Sequence, residues 1–350
     1  MQKYEIRIIE AREGMVVAKD ILNVQGDIII KEGDTLTGAS IGKLYVNDIE
    51  SVYVFWNKKS VEEDLAEENP IFKESKLDYV RKIKEIKDVF KNIHSDIGID
   101  KAKKLSLDII ESKKLTGDMI RCIMELKTVD EYIYTHSINV AGISYLIGNW
   151  MKLERSLLED LVLAALLHDI GRIKIPPEIL NKNTTLQEEE KRCLEKHPIY
   201  GYEILKGNSG LSKGVLDGVL MHHEREDGTG YPYKLKSDQI SQIAKIVTVA
   251  NIYCSMTIDR STSKKYNHFD MFELFESPES RKFDYLSMYV LMKNIAQYYI
   301  GDKILLSNGE HAKIMFINDE FISKPLVKLM NGEVLDLQDH RNIRIEKIIF

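Results

Sequence analysis

The chain has 350 residues, a formal net charge of −6, 30% charged and 44% hydrophobic side chains. This length allows two or three domains with a real core, and the composition is that of an ordinary globular protein. The acidic balance excludes a broad basic face for long nucleic acid, which needs many Lys and Arg at phosphates; a small anionic ligand held by local charges stays open.

Cys122, Cys193 and Cys254 are far apart and form no CxxC pair. They fit ordinary buried thiols in a reducing compartment, not a disulfide scaffold. Residues 2–12 are charged throughout and lack the apolar stretch of a secretory leader. The longest apolar run, Leu161 to Leu167, is far short of the ~20 residues a bilayer span needs. The expectation is a cytoplasmic protein with no membrane partner.

In chain order, residues 1–56 read as a small β-rich domain. Strand-like stretches lie at Tyr4–Ile9, around Met15–Ala18, at Ile28–Ile30 and at Ser51–Trp56. Gly14, Gly26 and Gly33 punctuate them, Gly26-Asp27 reads as a turn, and a short helix is expected from about Ile41 to Val46. Residues 57–75, charged and carrying Pro70, read as a linker. From 76 to 298 the pattern is helical: Leu77, Val80, Ile83, Ile86, Val89 and Phe90 recur at threes and fours. A helix start is expected near Leu186, with Thr185 as N-cap and Glu188 closing a capping box. Pro176-Pro177 and Asp227–Gly230 break the pattern and read as loops. Residues 299–350 return to period two. Strands are expected at Lys303–Leu306, Ala312–Ile317, Pro325–Leu329 and Arg344–Ile349, with hairpin turns at Asn308-Gly309 and Asn331-Gly332.

Chemistry-bearing residues concentrate in the helical region. Five of the nine histidines fall between positions 136 and 223. His136, His168, His197 and His222 are separated by 32, 29 and 25 residues, and His223 follows directly. Each gap suits one helix plus a turn, so a helical bundle can point one ligand inward per helix. Imidazole and carboxylate are the side chains that hold catalytic first-row metals. His168-Asp169 ends the apolar run, where an unpaired polar group is costly and ligation relieves the cost. His197 precedes Pro198, which favours a helix start. On a helix, His222 and His223 would point ~100° apart and reach two metals, or one metal and a substrate. Two cations ~3.5–4 Å apart can share a hydroxide and hold a phosphodiester for in-line attack. Asp169, with two oxygens, is the natural bridge. Lone His311 and His340 lie in β-patterned segments and read as surface residues.

The motifs resemble the HD-GYP family, a branch of the HD-domain phosphohydrolases. The resemblance covers about residues 130–260. It rests on Tyr134–Val140, on Leu166–Pro176 with His168-Asp169-Ile170-Gly171-Arg172, on His197–Gly201, and on His222–Pro232, which ends in Gly230-Tyr231-Pro232. It implies a mainly α protein: an HD-type helical bundle catalytic domain flanked by small N- and C-terminal β-rich domains. It implies two or three divalent cations, iron or manganese. It implies hydrolysis of cyclic di-GMP to pGpG, and on to GMP, in bacterial second-messenger signalling. By position, His136, His168, Asp169, His197, His222 and His223 are the implied metal ligands, with Glu131 or Asp130 as a further one. His168, Asp169 and Arg172 are the implied catalytic residues. Arg172, Gly228, Gly230, Tyr231, Pro232, Arg260 and Lys264 are the implied substrate contacts. A homodimer or a signalling partner is compatible with the chain.

The chain departs from the family pattern in three places. Where the family has a ligand aspartate in V-A-D-x-Y-D-A, this sequence reads Val249-Ala250-Asn251-Ile252-Tyr253-Cys254-Ser255. Asn251 can still ligate through its amide oxygen, but it is neutral and should weaken one metal. Arg172 stands for the usual lysine and keeps the charge. The family's D-R-P-Y-R/K run is Asp259-Arg260-Ser261-Thr262-Ser263-Lys264, which keeps Arg260 for phosphate with Lys264 beside it and lacks the proline and the aromatic. The expected function is therefore a cyclic di-GMP phosphodiesterase. The alternatives are a degenerate domain that binds cyclic di-GMP or a partner with little turnover, and another HD nucleotide hydrolase.

Overall fold

A computed structural model describes residues 3–7, 15–23, 26, 28–36, 40, 44, 49, 51–55, 70–112, 132–180, 182, 184–257 and 267–349. The chain divides into two compact units, Met1–Lys73 and Glu74–Phe350. The helix expected at Ile41–Val46, Trp56, Cys122, and the candidate residues Asp130, Glu131, Arg260 and Lys264 fall wholly or mostly outside the described residues.

The first unit is built from short strands: β1 Lys3–Arg7, β2 Val16–Val17, β3 Ile21–Leu22, β4 Ile28–Ile30 and β5 Ser51–Phe55. β5 is the centre of an antiparallel sheet ordered β1-β5-β2. Its alternation puts Val52 and Val54 inward against Val17, Leu36 and Leu44, while Tyr53 faces out. β3 and β4 pair as a separate hairpin. Gly26 turns it at a φ of 90°, as the Gly26-Asp27 signal suggested. β3 itself was not legible; two residues are too few for a periodicity.

α1 Pro70–Asn92 runs through the division at Lys73 into the second unit, and α2 Asp96–Glu111 follows. Ser95 caps α2 by accepting from Gly98 N–H. The site-bearing helices follow: α3 Tyr132–Trp150, α4 Arg155–Leu167, α5 Glu188–Leu194, α6 His197–Leu205, α7 Lys213–Met221 and α8 Gln242–Thr257. α4 is the hub, packed against α2, α3, α7 and α8. That placement explains its sequence: every residue from Leu161 to Leu167 is buried, so the helix is apolar all round and shows no stripe.

Two expectations about helix ends need correction. α5 starts two residues later than its sequence suggested. Its N-cap is Gln187, whose N–H donates to Glu190 at 2.7 Å, and Glu190 is also gripped by Lys182. This double hold outcompetes a box built on Thr185 and Glu188, and Thr185 stays in the extended lead-in. The second correction concerns His222 and His223. α7 ends at Met221, with His222 as its C-cap, so the pair sits in a turn after the helix and not on it, and both rings belong to one donor group.

α9 His268–Glu276 and α10 Tyr285–Ala296 carry the chain to a five-stranded antiparallel sheet. Its strands are β6 Lys303–Leu306, β7 His311–Asn318, β8 Phe321–Leu329, β9 Val334–Asp336 and β10 Ile345–Ile349, in the order β10-β6-β7-β8-β9. The two Asn-Gly pairs make the expected turns, with Gly309 and Gly332 at positive φ. β8 begins four residues before the expected Pro325. Proline has no N–H for a ladder, but this one sits beside the register shift between Phe316 and Asn318 of the partner strand, where pairing is interrupted. The sheet is tied to the helices by Lys324–Glu273 at 2.8 Å, by Ser323 on Glu276, and by Asn267 Nδ2 donating to the Ile345 carbonyl at 2.9 Å. His311 and His340 are exposed. The mainly α architecture with β-rich flanks is the one the sequence implied. Among the described residues, no helix is long and apolar enough to cross a membrane.

Because α4 is packed on several sides, Leu166→Ala should leave a cavity the neighbours cannot fill. Urea unfolding should show a loss of ~2–5 kcal/mol, as for buried leucines generally. A loss under ~1 kcal/mol would contradict the hub role of α4.

Candidate metal centre

Asp169 lies at the centre of a histidine cluster delivered by four different segments. His136 comes from the first turns of α3, His168 caps the C-terminus of α4, His197 opens α6, and His222 and His223 follow α7. Asn251 faces them from the middle of α8. His136, His168, Asp169, His197, His222 and Asn251 are all buried, and His223 is partly exposed. Asp169 itself sits at φ −96°, ψ 6°, the sparsely populated bridge region. A 3₁₀ turn, Ile170–Lys174, leads away from it.

The two oxygens of Asp169 face different histidines. Oδ1 is 3.2 Å from His197 Nε2 and 4.0 Å from His222 Nε2. Oδ2 is 3.4 Å from His168 Nε2 and 4.0 Å from His136 Nε2. Two donor groups result: Asp169, His197, His222 and His223 on one side, and His136, His168 and Asp169 on the other. The ligand-capable atoms within each group lie within 4.8 Å of one another.

Backbone carbonyls fix the ring orientations. His168, His197 and His222 each place Nδ1 on the carbonyl three residues earlier, those of Ala165 at 2.7 Å, Leu194 at 2.7 Å and Val219 at 2.8 Å. A carbonyl only accepts, so Nδ1 carries the hydrogen and Nε2 presents its lone pair to the cluster. Thr248 Oγ1 donates to the His222 carbonyl at 2.9 Å and holds the turn. His136 is arranged differently: its Nε2 lies 2.9 Å from Asn251 Oδ1.

This geometry leaves lone pairs facing lone pairs. His197 Nε2 and His222 Nε2 are 3.2 Å apart. Protonating one ring would relieve that, but burial lowers the pKa of both, with Asp169 partly opposing the shift at His197 and His168 reinforcing it at His222. Burial likewise lowers His223, aided by His222 and His197, and pushes His136 down to about 3, aided by His168. Burial alone would raise Asp169, yet Arg172, His168 and His197 outweigh it and hold the carboxyl well below the usual carboxylate range. Burial thus favours the neutral form of His136, His197, His222 and His223 around a charged Asp169. His168 Nε2, His223 Nε2 and both Asp169 oxygens are buried without a hydrogen bond of good geometry. Buried polar atoms are rarely left so, and a divalent cation would satisfy them together. The donor set, imidazole nitrogen plus carboxylate oxygen, suits first-row metals.

Close backbone approach makes the arrangement possible. A Cβ on Gly171 would sit 2.0 Å from the His197 carbonyl oxygen and 2.4 Å from Gly201 N. Only glycine lets the turn after Asp169 press against α6 and bring His197 to the carboxylate. The Gly230 position is equally tight: a Cβ would meet Arg225 N at 2.4 Å and Glu224 Cα at 2.5 Å. The loop 228–235 thus folds back on the histidine pair. Tyr231 N–H donates to the His223 carbonyl at 3.2 Å, and the Tyr231 ring stacks on the His223 imidazole with centroids 4.5 Å apart. Gly228 turns the loop at positive φ, and Pro232 follows Tyr231. Arg172 reaches back from the 3₁₀ turn to place Nε 2.7 Å from Asp169 Oδ1.

The anchors of this loop were not legible in the sequence. Glu224 is buried and accepts from the backbone N–H groups of Tyr233 at 2.7 Å and Leu235 at 2.9 Å. Glu226 binds Lys245 at 2.7 Å and Ser237 at 2.9 Å. Their motif was visible, but the partners are backbone atoms and long-range contacts that no spacing announces. Tyr79 hydrogen-bonds to buried Asn139 on α3, and that pairing was equally silent in the sequence.

The HD domain family model matches residues 108–285, and the chain belongs to that family. The chain is 32% identical to "Cyclic di-GMP phosphodiesterase PA4108" of Pseudomonas aeruginosa over 59% of this chain and 50% of that protein. It is 31% identical to "Cyclic di-GMP phosphodiesterase PdeB" of Borreliella burgdorferi over 61% of this chain and 56% of that protein. It thus spans about half the length of these curated relatives. Among solved structures, Bd1817, an HDG"Y"P protein from Bdellovibrio bacteriovorus, matches 83% of this chain and 98% of that chain. The TM-score is 0.56 at 17% identity, a likeness of fold. The resemblance to the HD-GYP branch, first seen in the motifs, stands on these findings.

Gly171→Ala should drive the 3₁₀ turn away from α6. Overpacking of this kind costs ~1–3 kcal/mol, and the displaced His197 should also abolish the thermal stabilisation conferred by added Mn(II). An unchanged melting temperature and an unchanged metal response would contradict the close-approach argument.

Proposed function

We propose that this chain is a metal-dependent phosphodiesterase that hydrolyses cyclic di-GMP to pGpG, and onward to GMP, in bacterial signalling. The observation that carries the reading is the split of Asp169. One carboxylate addresses two imidazole groups, in which His168, His197 and His222 already have their lone pairs fixed inward. In this reading His136, His168, Asp169, His197, His222, His223 and Asn251 are the metal ligands, with iron or manganese as the ions, and Glu131 is a further candidate ligand. Divalent cations held there would supply a hydroxide at neutral pH and draw charge from a phosphodiester.

The chain's own groups do the rest. Asp169 keeps its charge in the buried site and neutralises what it holds. Arg172, one turn away and partly exposed, leaves the Asp169 oxygen to pair with a phosphate oxygen, which a guanidinium grips bidentately. Tyr231, stacked on His223, forms a wall against which the substrate's nucleoside end is oriented, with Gly228, Gly230 and Pro232 setting the loop's path. Arg260 and Lys264 are assigned to the second phosphate. Purified protein loaded anaerobically with iron or manganese should linearise cyclic di-GMP. His168→Ala combined with Asp169→Ala should cut that rate by more than about 100-fold, because loss of groups that merely support ligands already costs ~10–100-fold. Turnover surviving in the double variant would end this reading; a panel of nucleotides and cyclic dinucleotides tests the substrate class.

One observation favours a second reading, in which the domain binds cyclic di-GMP or a partner with little turnover. Asn251 is neutral and holds His136 Nε2 in a hydrogen bond. Under this reading Asn251→Asp should raise turnover by ~10-fold or more. An unchanged rate would favour the working enzyme.

A further inference from the structure

The two donor groups around Asp169 are not equivalent. On the Oδ1 side, His197 and His222 have their Nδ1 hydrogens tied to carbonyls, so each presents a lone pair, and His223 Nε2 is buried with no hydrogen-bond partner. Three imidazoles and one carboxylate oxygen are ready to ligate. The two lone pairs at 3.2 Å repel until a cation separates them. This half of the site is destabilised when empty.

Among the described residues on the Oδ2 side, only His168 is prepared in that way. His136 spends Nε2 on the Asn251 amide oxygen at 2.9 Å. An amide oxygen only accepts, so Nε2 carries the hydrogen there. A cation on this side has to break that bond and move the ring proton to Nδ1 before His136 can ligate through Nε2. The fourth donor is then a neutral amide oxygen, itself contacted by Ser255 Oγ at 3.3 Å, in place of an imidazole or a charge. Imidazole suits iron among the first-row ions, and for any divalent ion the Oδ1 side has two imidazole lone pairs already aimed where the Oδ2 side has one. Arg172 Nε lies 2.7 Å from Oδ1, on the three-histidine side; that oxygen has a second lone pair for a cation, so the contact draws on this side without closing it.

We propose that the centre fills in order: one cation is held tightly by Asp169, His197, His222 and His223, and the position between His136, His168 and Asp169 is kept weak by Asn251. As prepared from cells the protein would be a one-metal protein, and its second position would act as a concentration-dependent one, filled only when free metal is plentiful. The inference rests on the proposed metal reading of the site but not on the identity of the substrate.

The test uses the full chain, stripped with chelator and incubated anaerobically with excess Mn(II), then desalted. Elemental analysis should find one manganese per chain, and electron paramagnetic resonance should show the six-line signal of an isolated ion. Asn251→Asp should retain two, with the broadened signal of a coupled pair. His136→Ala should still retain one, and His223→Ala should retain none; circular dichroism checks that each variant is folded, and Asn251→Asp alone decides the matter if the alanine variants are not. Two equally tight ions in the unaltered chain would overturn the proposal, as would one ion only in Asn251→Asp or none retained by any folded form. If Asn251→Asp holds two ions and does not hydrolyse cyclic di-GMP, the substrate assignment fails and the filling order stands.

Discussion

One buried carboxylate organises this protein. Asp169 is fully enclosed, it stays charged because Arg172 and two imidazoles outweigh the penalty of burial, and its two oxygens point to opposite groups of histidines. A lone buried charge of this kind is costly. The surrounding helices exist in the arrangement they do because each brings a neutral nitrogen to it. Remove the carboxylate and the inward lone pairs have nothing to share a cation with.

The local devices that aim those nitrogens are modest and repeated. Three of the histidines sit at helix boundaries, where carbonyls three residues earlier lack a complete set of partners and accept the Nδ1 hydrogen. The helix end is thus satisfied and the imidazole is oriented by the same bond. Gly171 and Gly230 allow the remaining approach, one pressing the Asp169 turn onto α6 and the other folding the Tyr231 loop over His223. Glu224 fixes that loop by its backbone. The candidate metal centre is in this sense made from helix termini and a clasped loop on an apolar hub.

Much of this was legible in the sequence. The even spacing of histidines, one per helix, announced convergence before any coordinate, and the motif from His222 to Pro232 named the family. The apolar run Leu161–Leu167 announced a buried helix, and the Asn-Gly pairs announced the hairpins. What stayed hidden depends on contacts across long sequence separations. Asn251 was visible as a departure, but its bond to His136, 115 residues away, was not. The cap of α5 slipped from Thr185 to Gln187 because Lys182 enters the competition for Glu190, and β8 ran through Pro325 because a register shift removes the need for its missing N–H. His222 and His223 sit just past the last residue of α7, in a turn whose position is set by where that helix stops.

The central claim is that the imidazoles and Asp169 jointly hold metal. Anomalous diffraction from crystals grown anaerobically with Mn(II) tests it most directly. The account requires a peak within ligand distance of Asp169 Oδ1 and of His197, His222 and His223. A crystal whose manganese lies elsewhere on the molecule, with this cluster water-filled and its geometry unchanged, would contradict it.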